Sequence, residues 1–156
     1  MKELGRIDYE DTFSVPCPAG TSASDVLLGF FSAAPKPVRI LMDIRNRMVS
    51  LFGLKTERPV RRVDVSMLQA GGRVGFFEIG SVTRDAAVVG ADDAHLNFRV
   101  LLNIRDEVLS CQTRVQFNNV LGRIYFFFVR PFHRWIVPMM LKSCVRQPRR
   151  PAAFGE

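Results

Sequence analysis

Hydrophobic and polar positions alternate along the first readable stretch of the chain. Ile7, Tyr9, Phe13 and Val15 fall on one side of the run and Asp8, Glu10, Thr12 and Ser14 on the other. A period of two is the pattern of a half-buried strand, so residues 7–15 are expected to be one. Asp11 interrupts the apolar side. Pro16, Pro18 and Gly20 then break the run, and Thr21, Ser22 and Ser24 offer N-cap oxygens to the short helix DVLLGFFSAA, with Asp25 in its first turn. Pro35 and Pro37 end that helix. Residues 38–52 carry an amphipathic pattern, with Leu41, Ile44, Met48, Leu51 and Phe52 on one stripe, Arg39, Asp43 and Arg47 opposite, and Gly53 at the C-cap.

Residues 54–72 are polar and basic and read as a weak strand or long loop. From Val74 the text changes character. Strand patterns cover residues 74–83, 86–91, 95–105 and 107–117, separated by short charged turns, the spacing of an antiparallel meander. Leu96, Phe98, Val100 and Leu102 alternate with His95, Asn97 and Arg99; Leu109, Cys111, Thr113, Val115 and Phe117 alternate with Ser110, Gln112, Arg114 and Gln116. Such a sheet is covered on one face. Asn118 and Asn119 then cap a long helix over residues 120–145. Leu121, Tyr125, Phe128, Phe132, Trp135 and Met139 recur at helical spacing and are expected to face the sheet, with Arg123, Arg130 and Arg134 turned away. Pro131 should kink this helix, and Pro138 should kink it again or end it. The order of elements predicts an α+β helix-grip fold: a curved antiparallel sheet wrapped around a long C-terminal helix, with two short helices after the first strand. One domain would span residues 1–145, and residues 146–156 would be a basic, Pro/Arg-rich tail without packed structure.

The segments YEDTF (9–13), IRNRMVSLFGLKT (44–56), GADDAHLNFRV (90–100) and LGRIYFFFVRPFHRWIVPMML (121–141) resemble the recurring blocks of an uncharacterised bacterial family of domains of unknown function. That family is in turn similar to the polyketide-cyclase, START and pollen-allergen superfamily of helix-grip proteins, a likeness that rests on element order and the last helix. The resemblance implies a cavity for an apolar ligand between sheet and helix. It implies no catalytic residue, because the superfamily shares no catalytic set.

Composition narrows this picture without naming a substrate. A chain of 156 residues, 47% hydrophobic, is one globular domain and neither a disordered tail nor a multidomain machine. The net charge is +7, and only four of the 22 cations are lysine. Lys142, Arg146, Arg149 and Arg150 stand against the single acid Glu156 at the C-terminal end, while Arg58, Arg61 and Arg62 form a second cluster beside Glu57 and Asp64. The charge is therefore no uniform nucleic-acid field, and no specific nucleic-acid partner is expected. No secretory signal is legible in MKELGRIDYED. The most apolar stretch, residues 120–141, contains Arg123, Arg130, His133 and Arg134, and each arginine would cost about 2.5–3.5 kcal/mol at a bilayer centre, so no transmembrane segment is expected. Cys17, Cys111 and Cys144 show no C-x-x-C spacing and read as small apolar side chains of a cytoplasmic protein. The pattern does not specify an oligomeric state.

No phosphate-cradling glycine loop and no G-x-S-x-G elbow is present. His95 and His133 lack metal-ligand spacing, and Asp92, Asp93 and His95 read as a solvated turn, so neither metal nor cofactor is expected. Asp11 has two readings. Strict alternation points it with Tyr9 and Phe13 into the apolar interior, where Arg99, Arg114 or His133 would partner it; a bulge would return it to solvent. His95, Asn97 and Arg99 form either an outer face laced by ion pairs or a polar wall of the cavity, and Glu78 is open in the same way. The segment from Arg130 to Trp135 could pass for a basic-aromatic nucleic-acid patch, but rings that face a sheet cannot stack on bases. The expected function is binding of a small hydrophobic or amphipathic ligand, lined by Tyr9, Phe98, Phe117, Tyr125, Phe128, Phe132 and Trp135 and anchored by Asp11 or Arg99. One alternative is a cyclase or hydratase in which Asp11, Tyr125 or His133 moves a proton. The other is a non-catalytic interaction module with a filled core, docking through His95 and Arg99 or the tail.

Overall fold

The structure is a computed structural model that describes residues 1–32 and 65–146. The expected helix at 38–52, the Arg58/Arg61/Arg62 cluster and residues 147–156 of the basic tail lie outside the described residues. Strand β1 (Tyr9–Pro16) is followed by helix α1 (Ala23–Ser32), and a 3-10 turn (Val65–Leu68) leads into β2 (Arg73–Val74), β3 (Phe77–Val82), β4 (Ala86–Asp92), β5 (Leu96–Arg105) and β6 (Val108–Phe117). Helix α2 (Val120–Arg146) closes the described chain. All strand pairs are antiparallel, and the sheet is open, in the order β1-β6-β5-β4-β3-β2. This is an α+β arrangement in which the long C-terminal helix packs against the sheet, as the element order predicted.

Local chemistry explains the boundaries. Ser22 caps α1 by accepting from the Asp25 amide at 3.2 Å, and the Asp25 carboxylate accepts in return from the Ser22 amide and hydroxyl. Asn119 caps α2 by accepting from the Gly122 amide at 3.0 Å. The β5–β6 connection is a two-residue turn with Asp106 and Glu107 at φ of 51° and 59°, the left-handed pair that a tight hairpin requires. One expected strand is two. Gly75, at φ 61°, and Phe76 turn the run 74–83 into the hairpin β2–β3.

The register builds cross-strand rows. On the inner face Ile79, Val89, Val100, Thr113 and Asp11 form one row, and Ala91, Phe98, Val115 and Tyr9 form the next. The opposite face carries Glu78, Gly90, Arg99, Arg114 and Glu10. Leu27, Ile79, Val89, Leu109 and Leu141 are essentially inaccessible at the centre of the main core, between sheet, α1 and α2. Helix α2 lies chiefly over β1, β6 and α1. Its α1 crossing is tight: a Cβ on Gly29 would stand 3.3 Å from the Cys144 Cα.

Helix α2 runs unbroken through Pro131 and Pro138. Each proline removes the donor for the carbonyl four residues earlier, Phe127 and Arg134, and both of those residues are exposed, so water can serve them. The buried stripe is Gly122, Phe126, Ile136, Val137, Met140, Leu141 and Cys144. It has the expected period but is rotated by one position from the expected stripe. Phe128, Phe132 and Trp135 are 57%, 49% and 61% exposed, on the side of α2 turned from the sheet.

Candidate functional site

Strand β1 forms one edge of the sheet, and its alternation holds: Tyr9, Asp11 and Phe13 are half-buried and Val15 is buried. Asp11 therefore lies on the inner face, at the end of an otherwise largely apolar row, beside Thr113. Its partner comes from the helix above. His133 Nε2 stands 3.3 Å from Oδ1 and 3.2 Å from Oδ2 of Asp11, and the two side chains are only 17% and 13% exposed. The Tyr9 hydroxyl donates to Asp11 Oδ2 at 2.6 Å. Thr113 leans on the same carboxylate without closing a hydrogen bond. An ionised carboxylate can only accept, so the Nε2 nitrogen of His133 carries its proton toward Asp11.

These contacts decide the charge state. Burial pushes the Asp11 pKa up, but hydrogen bonds from His133 and Tyr9 and the positive field of the imidazole outweigh burial and hold it below the usual carboxylate value of 3.8. Burial and the carboxylate next door push the Tyr9 phenol up, while Arg130, whose guanidinium carbon lies 5.4 Å from the ring centre, pulls the other way. The cluster at neutral pH is thus a carboxylate accepting from a phenol and an imidazole. Two donors leave acceptor capacity on its two oxygens.

Aromatic packing surrounds the cluster. The ring centre of Phe126, 7% exposed, lies 4.6 Å from that of Tyr9, 5.5 Å from that of Phe117 and 6.5 Å from that of His133. Phe117 and Tyr125 are half-buried beside it, with Leu96 and Val115 beneath. Phe98 joins this group to the main core and to the rings of Phe76 and Phe77, at 6.2 and 5.6 Å. Sequence reading missed Phe126, because three consecutive phenylalanines leave the helical phase open. Thr113 was placed on the apolar side of its strand but not at the site, although its register opposite Asp11 follows once β1 and β6 are paired.

The remaining expected residues lie elsewhere. Arg99 belongs to the opposite sheet face. It is buried there under the N-terminal segment, with Nη1 2.7 Å from Asp92 Oδ1, and it donates to the carbonyls of Lys2, Ala91 and Phe98. Gly90 makes room for its stem, since a Cβ there would meet Arg99 Cδ at 2.8 Å. Arg99 cannot anchor anything at Asp11. His95 departs from the strand face it was expected to share, its ring meeting Tyr125 of α2 edge-on at 5.3 Å with Asp93 3.4 Å from Nδ1. A Cβ on Gly122 would collide with the His95 carbonyl, which is how closely the helix start presses on this turn.

Among the described residues no group of three or more His, Cys, Asp or Glu side chains could hold a metal ion. Cys111 and Cys144 are buried, and burial pushes both thiols up to about 12, which leaves them unreactive at neutral pH. A shallow cleft of about 290 Å³, lined by Pro18, Thr21, Arg84, Asp85, Asp106 and Glu107 among others, opens near the β5–β6 turn. It lies away from the Tyr9–Asp11–His133 cluster. No helix of the described residues is long and apolar enough to cross a membrane.

No curated protein matches the chain. A family model covers residues 3–140, nearly the whole of the described sheet and helix and all of the Tyr9–Asp11–His133 cluster, and the chain belongs to that family, the proteins of unknown function DUF2867.

Proposed function

We propose that the domain binds a small amphipathic molecule against the inner face of its sheet, with Tyr9, Asp11 and His133 as the polar anchor and Phe98, Phe117, Tyr125 and Phe126 as apolar walls. The observation that carries this reading is the ionised Asp11 among apolar side chains. A buried ion pair is weak evidence for stability, since apolar replacements of similar volume are often as stable or more so. A carboxylate held in its charged form at the end of an apolar row, with lone pairs to spare, suits the hydroxyl or ammonium head of a mostly hydrophobic molecule. The resemblance to the helix-grip superfamily supports the same reading. Phe128, Phe132 and Trp135 have no part in it, because they face away from the sheet. Native mass spectrometry of the purified protein tests the proposal: an apolar compound co-purifies with the wild-type chain and is lost from Asp11→Asn. Identical spectra with no bound mass in either protein would argue against it.

The Asp11–His133 distance also favours a second reading, an enzyme of cyclase or hydratase type. Two titratable groups lie within hydrogen-bond reach of one point, the condition for general acid–base work. In that case incubation would change the co-purified compound, by the mass of one water for a hydratase.

A further inference from the structure

Six of the ten large apolar side chains exposed among the described residues lie on α2: Val120, Ile124, Phe127, Phe128, Phe132 and Trp135. At roughly 100° per residue they occupy one side of the helix, opposite the stripe buried on the sheet. Phe127 is 74% exposed and Val120 69%. Helix α2 is therefore apolar on two faces, and among the described residues the core accounts for only one. Single exposed hydrophobics need no explanation, but a continuous aromatic strip marks an interaction surface.

Charge selects the partner. The 27 residues of α2 contain Arg123, Arg130, Arg134, Lys142 and Arg146 and no acid at all. Arg123, Arg130 and Arg134 flank the strip along one side, and Lys142 and Arg146 follow it on the exposed surface toward the C-terminal end. Phe and Trp on one face with arginines along the edge is the composition of a helix that lies in the headgroup region of a membrane without crossing it. Asp8, the acid whose field reaches Arg123, is already held by Arg6 and the Phe117 amide. A second copy would bring the same five cations opposite themselves with no acid to pair them. A nucleic acid would want a basic channel with spaced rings, where this strip is convex and interleaved with Val120 and Ile124.

We propose that the outer face of α2 docks the protein on an anionic lipid surface, Phe127, Phe128, Phe132 and Trp135 entering the headgroup boundary and Arg123 and Arg134 pairing with lipid phosphates. The inference goes beyond the ligand site, because it uses the opposite side of the same helix. Trp135 is the only tryptophan, so it reports on this face alone. The test uses the full chain and follows its emission in buffer, with phosphatidylcholine vesicles, and with vesicles containing phosphatidylglycerol. The result expected in buffer is a monomer in which acrylamide quenches the exposed Trp135. Phosphatidylglycerol vesicles shift the emission to the blue and shield it, and apparent affinity is at least tenfold weaker for pure phosphatidylcholine, given roughly fivefold per basic residue near an anionic surface. Phe127→Glu with Phe132→Glu abolishes the shift while leaving the circular dichroism unchanged, and Arg123→Gln with Arg134→Gln weakens it and flattens its salt dependence. The proposal is overturned by no response to anionic vesicles. It is equally overturned if Trp135 is already shielded in the free monomer, if it is shielded by a concentration-dependent dimer, or if an RNA oligomer shields it and vesicles do not.

Discussion

Replacing His133 by Leu probes the candidate site most sharply. Among the described residues the substitution leaves Asp11 with Tyr9 as its one remaining hydrogen-bond donor, in a position where the carboxylate is 13% exposed. Breaking a fully buried pair costs about 3–5 kcal/mol, and exposed pairs contribute about 0–1 kcal/mol. This pair lies nearer the buried limit, but its 3.2 and 3.3 Å distances are longer than those of a strong charge-assisted bond. A coupling of about 2 kcal/mol follows, which lowers a urea midpoint by about 1 M for a typical dependence on denaturant. The assay is a double-mutant cycle of Asp11→Asn and His133→Leu by urea unfolding near neutral pH. Because the folded pKa of Asp11 lies below its unfolded value, the stabilisation is fully present above the unfolded pKa and is lost as pH falls through the folded one. The acid-side loss of stability therefore shrinks in His133→Leu and loses the Asp11 contribution altogether in Asp11→Asn. Single-mutant costs that add to within about 0.5 kcal/mol would refute the coupling, and so would an acid limb unchanged by either substitution.

Other positions give independent checks. Gly122→Ala should gain helix propensity, yet its Cβ would strike the His95 carbonyl; a net loss of about 2 kcal/mol lowers Tm by roughly 6 °C, and an unchanged or higher Tm would contradict the packing. Arg99→Met should release the N-terminal segment, seen as faster hydrogen exchange over residues 1–8, while leaving ligand binding intact because Arg99 is on the other sheet face. Tyr9→Phe keeps the ring against Phe126 and removes one donor to Asp11, for a loss of about 1 kcal/mol by urea unfolding; no loss would show that the hydroxyl is idle. Cys111 and Cys144 should resist a thiol reagent until the protein unfolds, and rapid labelling of both in the native state would contradict their burial.

The parts of the fold that could be read are those where one face is wet and the other dry. Strands β1 and β6 alternate cleanly, and β5 does so apart from Arg99, which is buried on the opposite face. The turn between β5 and β6 was expected but not its position, since the bounds 95–105 and 107–117 leave one residue between the strands where the structure turns on Asp106 and Glu107. The orientation of Asp11 was legible only as one of two readings: alternation puts it beside Tyr9 and Phe13, and the unshifted register of β1 on β6 is what excludes the bulge that would return it to solvent. Helix α2 was not legible, and the reason is physical. From Val120 to Leu141 apolar residues occur on nearly every side, so a stripe through Phe128, Phe132 and Trp135 and one through Phe126, Val137 and Leu141 have equal claim by period alone. Only packing on β1 and β6 chooses between them. The position of His95 was hidden for a different reason: it precedes β5, where strand parity stops applying.

The central claim is that an amphipathic molecule meets Asp11 on the inner face of the sheet, and amide chemical shifts of the labelled full chain during titration with octanol test it most directly. The account predicts saturable shifts at residues 9–13 of β1, 113–117 of β6 and the buried side of α2 around Phe126 and His133, all reduced in Asp11→Asn. Shifts confined to the outer strip of Phe127, Phe128 and Trp135, or identical in the Asp11 variant, would contradict it.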